Sequence, residues 1–300
     1  MAIPVILDTD IGLDVDDVWA LAFLLKCPEL DVKLIVTDTG DTHYAARLVA
    51  KLLKVAGRQD IPIGVGIPLD NHEATHAEWL GDFQLNEFAG KIYEDGVGAL
   101  CDTIMDSDEP VTLISIGPVP NLAAALQRQP EIVNHSRFIG MHGSLRRGYM
   151  GAETPMREYN VKKHSLSCQA VFESDWPKTI TPLDTCGTVI LKGEHFQKLI
   201  NSEDPLTKAV MENHVGWSEQ VKDWPGLRDL DLNIQSSVLY DTVAIYLAFD
   251  EQYLEIETLP VLVTQDGKTL IDEAGQPVRC ATEWRNYEAF ESLLIERLLA

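Results

Sequence analysis

Basic residues are scarce in this chain: 24 Lys and Arg stand against 47 Asp and Glu, a formal charge of −23. A surface so acidic repels a phosphate backbone, and Arg146-Arg147 with Lys162-Lys163 are too few for a groove that tracks one. Nucleic acid is therefore excluded as a partner. Cysteine is sparse too, with Cys27, Cys101, Cys168, Cys186 and Cys280 scattered and no Cys-x-x-Cys pair. That usage argues against a zinc site or a disulfide framework and fits reduced thiols in the cytoplasm. No apolar run is long enough to span a bilayer, and no signal peptide is visible after Met1-Ala2.

What is present is an alternation of β-branched apolar runs and helix-period segments. Strands are expected at residues 3–7, 32–37, 61–65, 111–116, 138–141 and 180–183, with helices at 16–26, 43–55 and 122–127. Continuous apolar strands separated by helices predict an α/β fold with an open, mainly parallel sheet covered by helices on both faces. The final third departs from this pattern. Leu259–Val263, the turn Asp266-Gly267 and Thr269–Ile271 read as a C-terminal hairpin at the sheet edge or in a peripheral lobe. No repeat or linker divides the chain, so residues 1–300 are expected to form one domain.

In such sheets ligands sit beyond the carboxyl ends of the strands, and the strongest concentration of charge lies just there. Asp8, Asp10, Asp14, Asp16 and Asp17 put five carboxylates within ten residues at the first strand-to-helix turn. Carboxylates packed together repel, and a cation or shared protons must relieve them. Oxygen ligands of this kind select calcium or magnesium over zinc. Capping needs one acid, and Asp14 can serve either as that cap or as part of the cluster. An EF-hand starting at Asp8 fails, because its fifth and twelfth positions hold Gly12 and Trp19. An aspartyl-phosphate phosphatase fails as well, since Gly12 stands where that family wants Thr or Val.

The run Asp8-Thr-Asp10-Ile-Gly12-Leu-Asp14-Val-Asp16-Asp17 resembles the N-terminal signature of the inosine–uridine-preferring nucleoside hydrolase family. It matches the variant with two extra residues before the paired aspartates. Three further segments match in order: Ile116-Gly117-Pro118-Val-Pro-Asn121-Leu-Ala resembles the family's Gly-Pro-Leu-Thr-Asn loop, Met141 with Glu158-Tyr159-Asn160 its methionine and Glu-Phe-Asn motif, and Tyr240-Asp241 its late aspartate. The resemblance implies a nucleoside-hydrolase-type fold with a Rossmann-like core. It also implies calcium held by Asp10, Asp17, Asp241 and the carbonyl of Ile116, with Asp10 as the base for the attacking water. Asp16 and Asn160 would hold ribose hydroxyls and Glu158 the 5′-hydroxyl side, while Met141 lines the sugar pocket or belongs to the core. Asn121 would fix the loop carrying Ile116. A homo-oligomer, dimer or tetramer, is implied in the same way.

Four departures bear on the substrate. Asp41 follows Gly40 where the family commonly has asparagine, so a further carboxylate is expected near the sugar. Tyr240 stands where some members carry a histidine acid; it is the candidate for leaving-group catalysis, but tyrosine is the weaker acid at neutral pH, so that activation otherwise comes from elsewhere or is poor. His164 takes the place of an aspartate, and the turn His142–Gly148 is longer and more basic than usual. Trp79, Asp82, Phe83 and Tyr93 are expected in a loop arching over the site, with His72 and His76 exposed on it. Trp217 and Trp224 either pack the late helices or stack on a base. The resulting expectation is calcium-dependent hydrolysis of a nucleoside or related glycoside. A carbohydrate- or nucleoside-binding protein, or a hydrolase of a non-nucleoside glycoside, are the alternatives.

Overall fold

A computed structural model describes residues 2–70, 72–224, 227 and 230–300. The strands are β1 (Ile3–Thr9), β2 (Leu30–Thr37), β3 (Ile63–Val65), β4 (Ile92–Tyr93), β5 (Val111–Ser115), β6 (Ser136–Met141), β7 (Lys178–Thr181), β8 (Leu254–Val263), β9 (Thr269–Ile271) and β10 (Gln276–Trp284). They form one ten-stranded sheet in the order β4-β3-β2-β1-β5-β6-β7-β10-β8-β9. Every pairing from β4 through β10 is parallel, and β8 and β9 add antiparallel partners at one end. The expected hairpin is β8–β9. It joins the sheet only through β10, a strand that the sequence reading missed.

Alternation along each strand explains why both faces are covered. On β1, Val5 and Leu7 enter one apolar core while Ile6 enters the other; on β2, Ile35 lies opposite Leu34 and Val36. Helices Asp16–Leu25 and Thr42–Val55 pack on the first face, and helices Gly96–Met105, Pro120–Arg128 and Ser165–Glu173 supply the second. All five cysteines are buried and free. Among the described residues no helix is long and apolar enough to cross a membrane.

The chain runs outward from β1 through β2, β3 and β4, then returns to the other side of β1 for β5, β6 and β7. Order therefore reverses between β1 and β5, and a crevice opens at their carboxyl ends. Asp8 pairs with Val36 on one side and Ser115 on the other. Asn121 closes this junction from below: its Nδ2 donates to Asp8 Oδ1 at 2.7 Å and to the Thr37 carbonyl at 3.1 Å. Its Oδ1 accepts from the Ile67 amide at 2.8 Å, so one buried side chain ties β1, β2 and the segment after β3. Burial pushes the Asp8 carboxyl up to about 6, opposed by hydrogen bonds from Asp38, Asn121 and Ser115.

Asn121→Ala should cost about 2–4 kcal/mol, because it strands a buried carboxyl and a buried amide together. Urea unfolding should show a lower midpoint with an unchanged slope. A loss below about 0.5 kcal/mol would refute the tie.

Candidate active site

One cavity at the β1–β5 reversal is lined by Asp10, Asp14, Asp16, Asp17, Ile116, Met141, Glu158, Asn160, Tyr240 and Asp241, together with Leu13, Tyr149, Tyr159 and Trp224. Of the site residues expected from sequence, only Asp41 stands outside it. Asp41 caps the helix Thr42–Val55, accepting from the His43 and Tyr44 amides at 3.1 and 3.0 Å. It lines an adjoining cavity with Thr39, Gly40, Arg47 and His72, and Asp10 forms part of the wall of both.

Asp16, Asp17 and Asp241 each offer a carboxylate oxygen, and these three atoms lie within 4.8 Å of one another. All three residues are buried, and no described residue lining the cavity is basic. Burial and then the charge of Asp17 push Asp10 well above the usual carboxylate range. Asp16 and Asp241 are raised by burial and by their acidic neighbours, and they share a side-chain hydrogen bond. Burial lifts Asp17 to about 7 despite a hydrogen bond donated by the Thr9 hydroxyl. Buried oxygens this close, without a cationic side chain, fit a hard divalent ion. The Asp10–Asp17–Asp241 set implied by the resemblance shares two members with this trio. Asp16, expected at the sugar, completes the closest group.

Asp14 does not cap the first helix, whose N-cap is Val15 with no side-chain bond; its carboxylate accepts from the Val15 amide at 2.7 Å and faces the cavity. The longer turn is strapped through its carbonyls. Thr75 Oγ1 donates to Leu13 O at 2.6 Å, and Trp217 Nε1 donates to the same oxygen at 2.9 Å. His76 Nε2 lies 2.9 Å from Asp14 O, with Nδ1 3.0 Å from Asn213. His76 is thus buried, and burial lowers it to about 4, so it serves as a neutral strut rather than an exposed loop residue. Trp217 packs, whereas Trp224 reaches the cavity. Trp79 and Phe83 lie under Lys51 and Lys54 instead of over the site, and Tyr93 lies under Lys91.

The far wall is built from the long turn. Glu158 accepts from the amides of Gly143, Asn160 and Val161 at 3.0, 2.6 and 3.1 Å, and burial still raises it to about 7. Asn160 Nδ2 donates to the carbonyls of Ile116 at 2.9 Å and Met141 at 3.0 Å, which fixes both. Thr269 of the hairpin clamps Ser144, accepting from its amide at 2.8 Å and donating to its carbonyl at 3.0 Å. Asp184 receives the amides of Leu145 and Arg146. Tyr149, which closes the turn, meets Tyr240 edge to face at 5.9 Å between ring centres. Sequence reasoning flagged the length of this turn without finding Tyr149. His164 bonds Ser167 and does not line the cavity.

Comparison with known proteins bears on what this arrangement does. A family model described as inosine-uridine preferring nucleoside hydrolase matches residues 5–297. The chain belongs to that family. It is 30% identical to a pyrimidine-specific ribonucleoside hydrolase of Citrobacter koseri, across 99% of this chain and 98% of the relative. A non-specific ribonucleoside hydrolase of Klebsiella pneumoniae is 31% identical over 71% of this chain and 73% of its own. Among solved structures, a plant nucleoside hydrolase superposes with a TM-score of 0.82 at 22% identity, covering 100% of both chains. A purine-preferring ribonucleoside hydrolase from Gardnerella vaginalis gives 0.78 at 18% identity over 98% of both. Those two share the fold. Membership in the family makes this chain a hydrolase, with its acids gathered in a single cavity.

The raised carboxyls make cation binding and stability pH-linked. Unfolded carboxyls titrate near 4, whereas burial pushes Asp17 and Glu158 up to about 7 and Asp8 and Asp14 up to about 6. Their contribution is full below the unfolded value and is lost as pH rises from about 4 to 7. A bound divalent ion replaces those protons. The rise in melting temperature on adding millimolar calcium to chelator-stripped protein should therefore be larger at pH 8 than at pH 5. An equal rise at both, or none, would contradict the acid cluster as the cation site.

Proposed function

We propose that this chain hydrolyses the N-glycosidic bond of ribonucleosides, with calcium in the acid cluster and Asp10 as the base for the attacking water. The observation that carries the reading is the set of buried carboxylates around one cavity at the β1–β5 reversal, within a family of nucleoside hydrolases. The ligands proposed for calcium are Asp10, Asp17, Asp241 and the Ile116 carbonyl, and Asp16 lies close enough to exchange with Asp10 in that role. When bound, calcium lowers the pKa of a ligated water and screens the acids from one another.

The chain's own residues supply the rest. Asp10, raised by burial and by its acidic neighbours, accepts a proton from the water. Asp16 and Asn160 take sugar hydroxyls; Asn160 is already oriented by its two carbonyl bonds, which leave its Oδ1 as the acceptor for a ligand. Glu158 bounds the 5′ side of the sugar. Ionised acids around the ring favour the positive charge that develops as the bond to the base lengthens. Tyr149, Trp224 and Tyr240 form an aromatic wall for the departing base. Tyr240 is the proposed donor to that base. Relatives with pyrimidine-specific and non-specific names bracket the substrate class as ribonucleosides rather than one base.

Incubation with calcium and a panel of purine and pyrimidine ribonucleosides should release reducing sugar. Asp10→Ala should then lower the rate by on the order of 10²–10⁴ or more. Asp16→Ala should weaken sugar binding, and calcium titrations of both variants decide which acid completes the ion's shell. Binding of ribonucleosides with no turnover by the native protein would replace the hydrolase reading with a binding protein.

The leaving-group role of Tyr240 has its own signature. Tyr240→Phe should slow natural nucleosides, whose bases leave poorly, and hardly change activated aryl ribosides. Equal slowing of both classes would remove Tyr240 from that step.

A further inference from the structure

Tyr159 stands between Glu158 and Asn160, and its ring lines the cavity with Asp10. Its hydroxyl is buried and has no hydrogen-bond partner on the protein. A buried donor is seldom left unmatched unless something that enters the site is meant to receive it. The ring is also held firmly. Its own amide donates to Tyr149 Oη at 2.7 Å, and both flanking residues are anchored, Glu158 by three amides and Asn160 by two carbonyls. On the outer side, Lys163 Nζ lies 5.7 Å from the ring centre and is tied to Asp70.

Burial first, and then the neighbouring acids Asp10, Asp70, Asp17 and Asp38, push the Tyr159 phenol above its ordinary range. A phenol that keeps its proton in such surroundings has its O–H available to donate.

We propose that Tyr159 Oη donates a hydrogen bond to the water that Asp10 deprotonates, making Tyr159 a catalytic residue of this chain. The proposal rests on the hydrolase reading above. In the step, one water O–H bond breaks and its proton passes to Asp10, while the oxygen bonds to the anomeric carbon. The carbon–nitrogen bond breaks, and its electron pair leaves with the base. Tyr159 keeps its proton throughout and contributes orientation: the phenol engages a lone pair of the water, so that the pair freed as the O–H bond breaks is directed at the sugar.

Tyr159→Phe deletes only the oxygen. It should lower kcat about tenfold, the factor supplied by one well-placed hydrogen bond, with KM and calcium affinity within twofold of the native protein. Melting temperature should hold or rise, since an unmatched buried hydroxyl is removed. Methanol added as a competing nucleophile gives a readout that a packing role would not move. The ratio of methyl riboside to free ribose should increase in the variant, because water has lost its dedicated donor. An unchanged kcat and an unchanged product ratio would overturn the assignment. A lower melting temperature, or a joint loss of kcat and calcium affinity, would overturn it in favour of a structural role. Native protein that is inactive on every ribonucleoside would overturn both readings, whereas an active native protein with an equally active variant overturns only this one.

Discussion

Repulsion among buried carboxylates is the constraint around which this molecule is arranged. Asp10, Asp14, Asp16, Asp17, Glu158 and Asp241 face one cavity, and among the described residues no basic side chain lines it. Ionising them together without a cation is prohibitive in a medium of low polarizability. The fold holds them there anyway, because each is fixed by its own backbone context. Asp16 and Asp17 open a buried helix, Asp241 precedes another, and Glu158 is gripped by three amides. Such repulsion favours whatever brings positive charge to the oxygens, and the raised proton affinity of these acids is its measure.

Such a site needs rigid supports, and they come from distant parts of the chain. The turn carrying Asp14 would be free to relax away from its neighbours if its carbonyls were unclaimed. Thr75, His76 and Trp217 claim them, from the segment after β3 and from the helix Pro205–Val221. The opposite wall depends on the hairpin: Thr269 secures Ser144, and the adjacent Gly143 amide holds Glu158. Gly143 has φ of +87°, and a Cβ there would meet Thr269 Oγ1 at 2.8 Å, so glycine is required at that joint. The C-terminal strands, which read as peripheral, are thus part of the active-site scaffold.

The central strands and the acid cluster were legible in the sequence because both are local signals. Buried parallel strands are continuous apolar runs, and five aspartates in ten residues have no ordinary structural use. Strand β10 was not legible: Val278 and Cys280 are buried while Gln276 and Arg279 are exposed, so its pattern is too polar to resemble a central strand. The aromatic loop was misplaced because an aromatic residue beside a site and one beneath a lysine look alike in sequence. Only the fold puts Lys51 4.2 Å from the Trp79 ring. His76 read as exposed because nothing local announces a partner 137 residues away at Asn213.

Asp41 shows how a single residue type divides between two uses. The position after a left-handed Gly40, φ +48°, begins a helix, and an aspartate there is an excellent N-cap. Its oxygen already bonds two amides, which neutralises much of its reach toward the cavity beyond Thr39. A carboxylate so engaged serves the start of its helix, whereas Glu158 accepts three amides and still faces the central cavity. Asp10, Asp16 and Asp241 line that cavity with few such bonds: among the described contacts only Asp10 accepts a backbone amide, its own. The division between the capping acid and the cavity acids therefore follows from where the fold turns each carboxylate. Residue identity alone does not decide it.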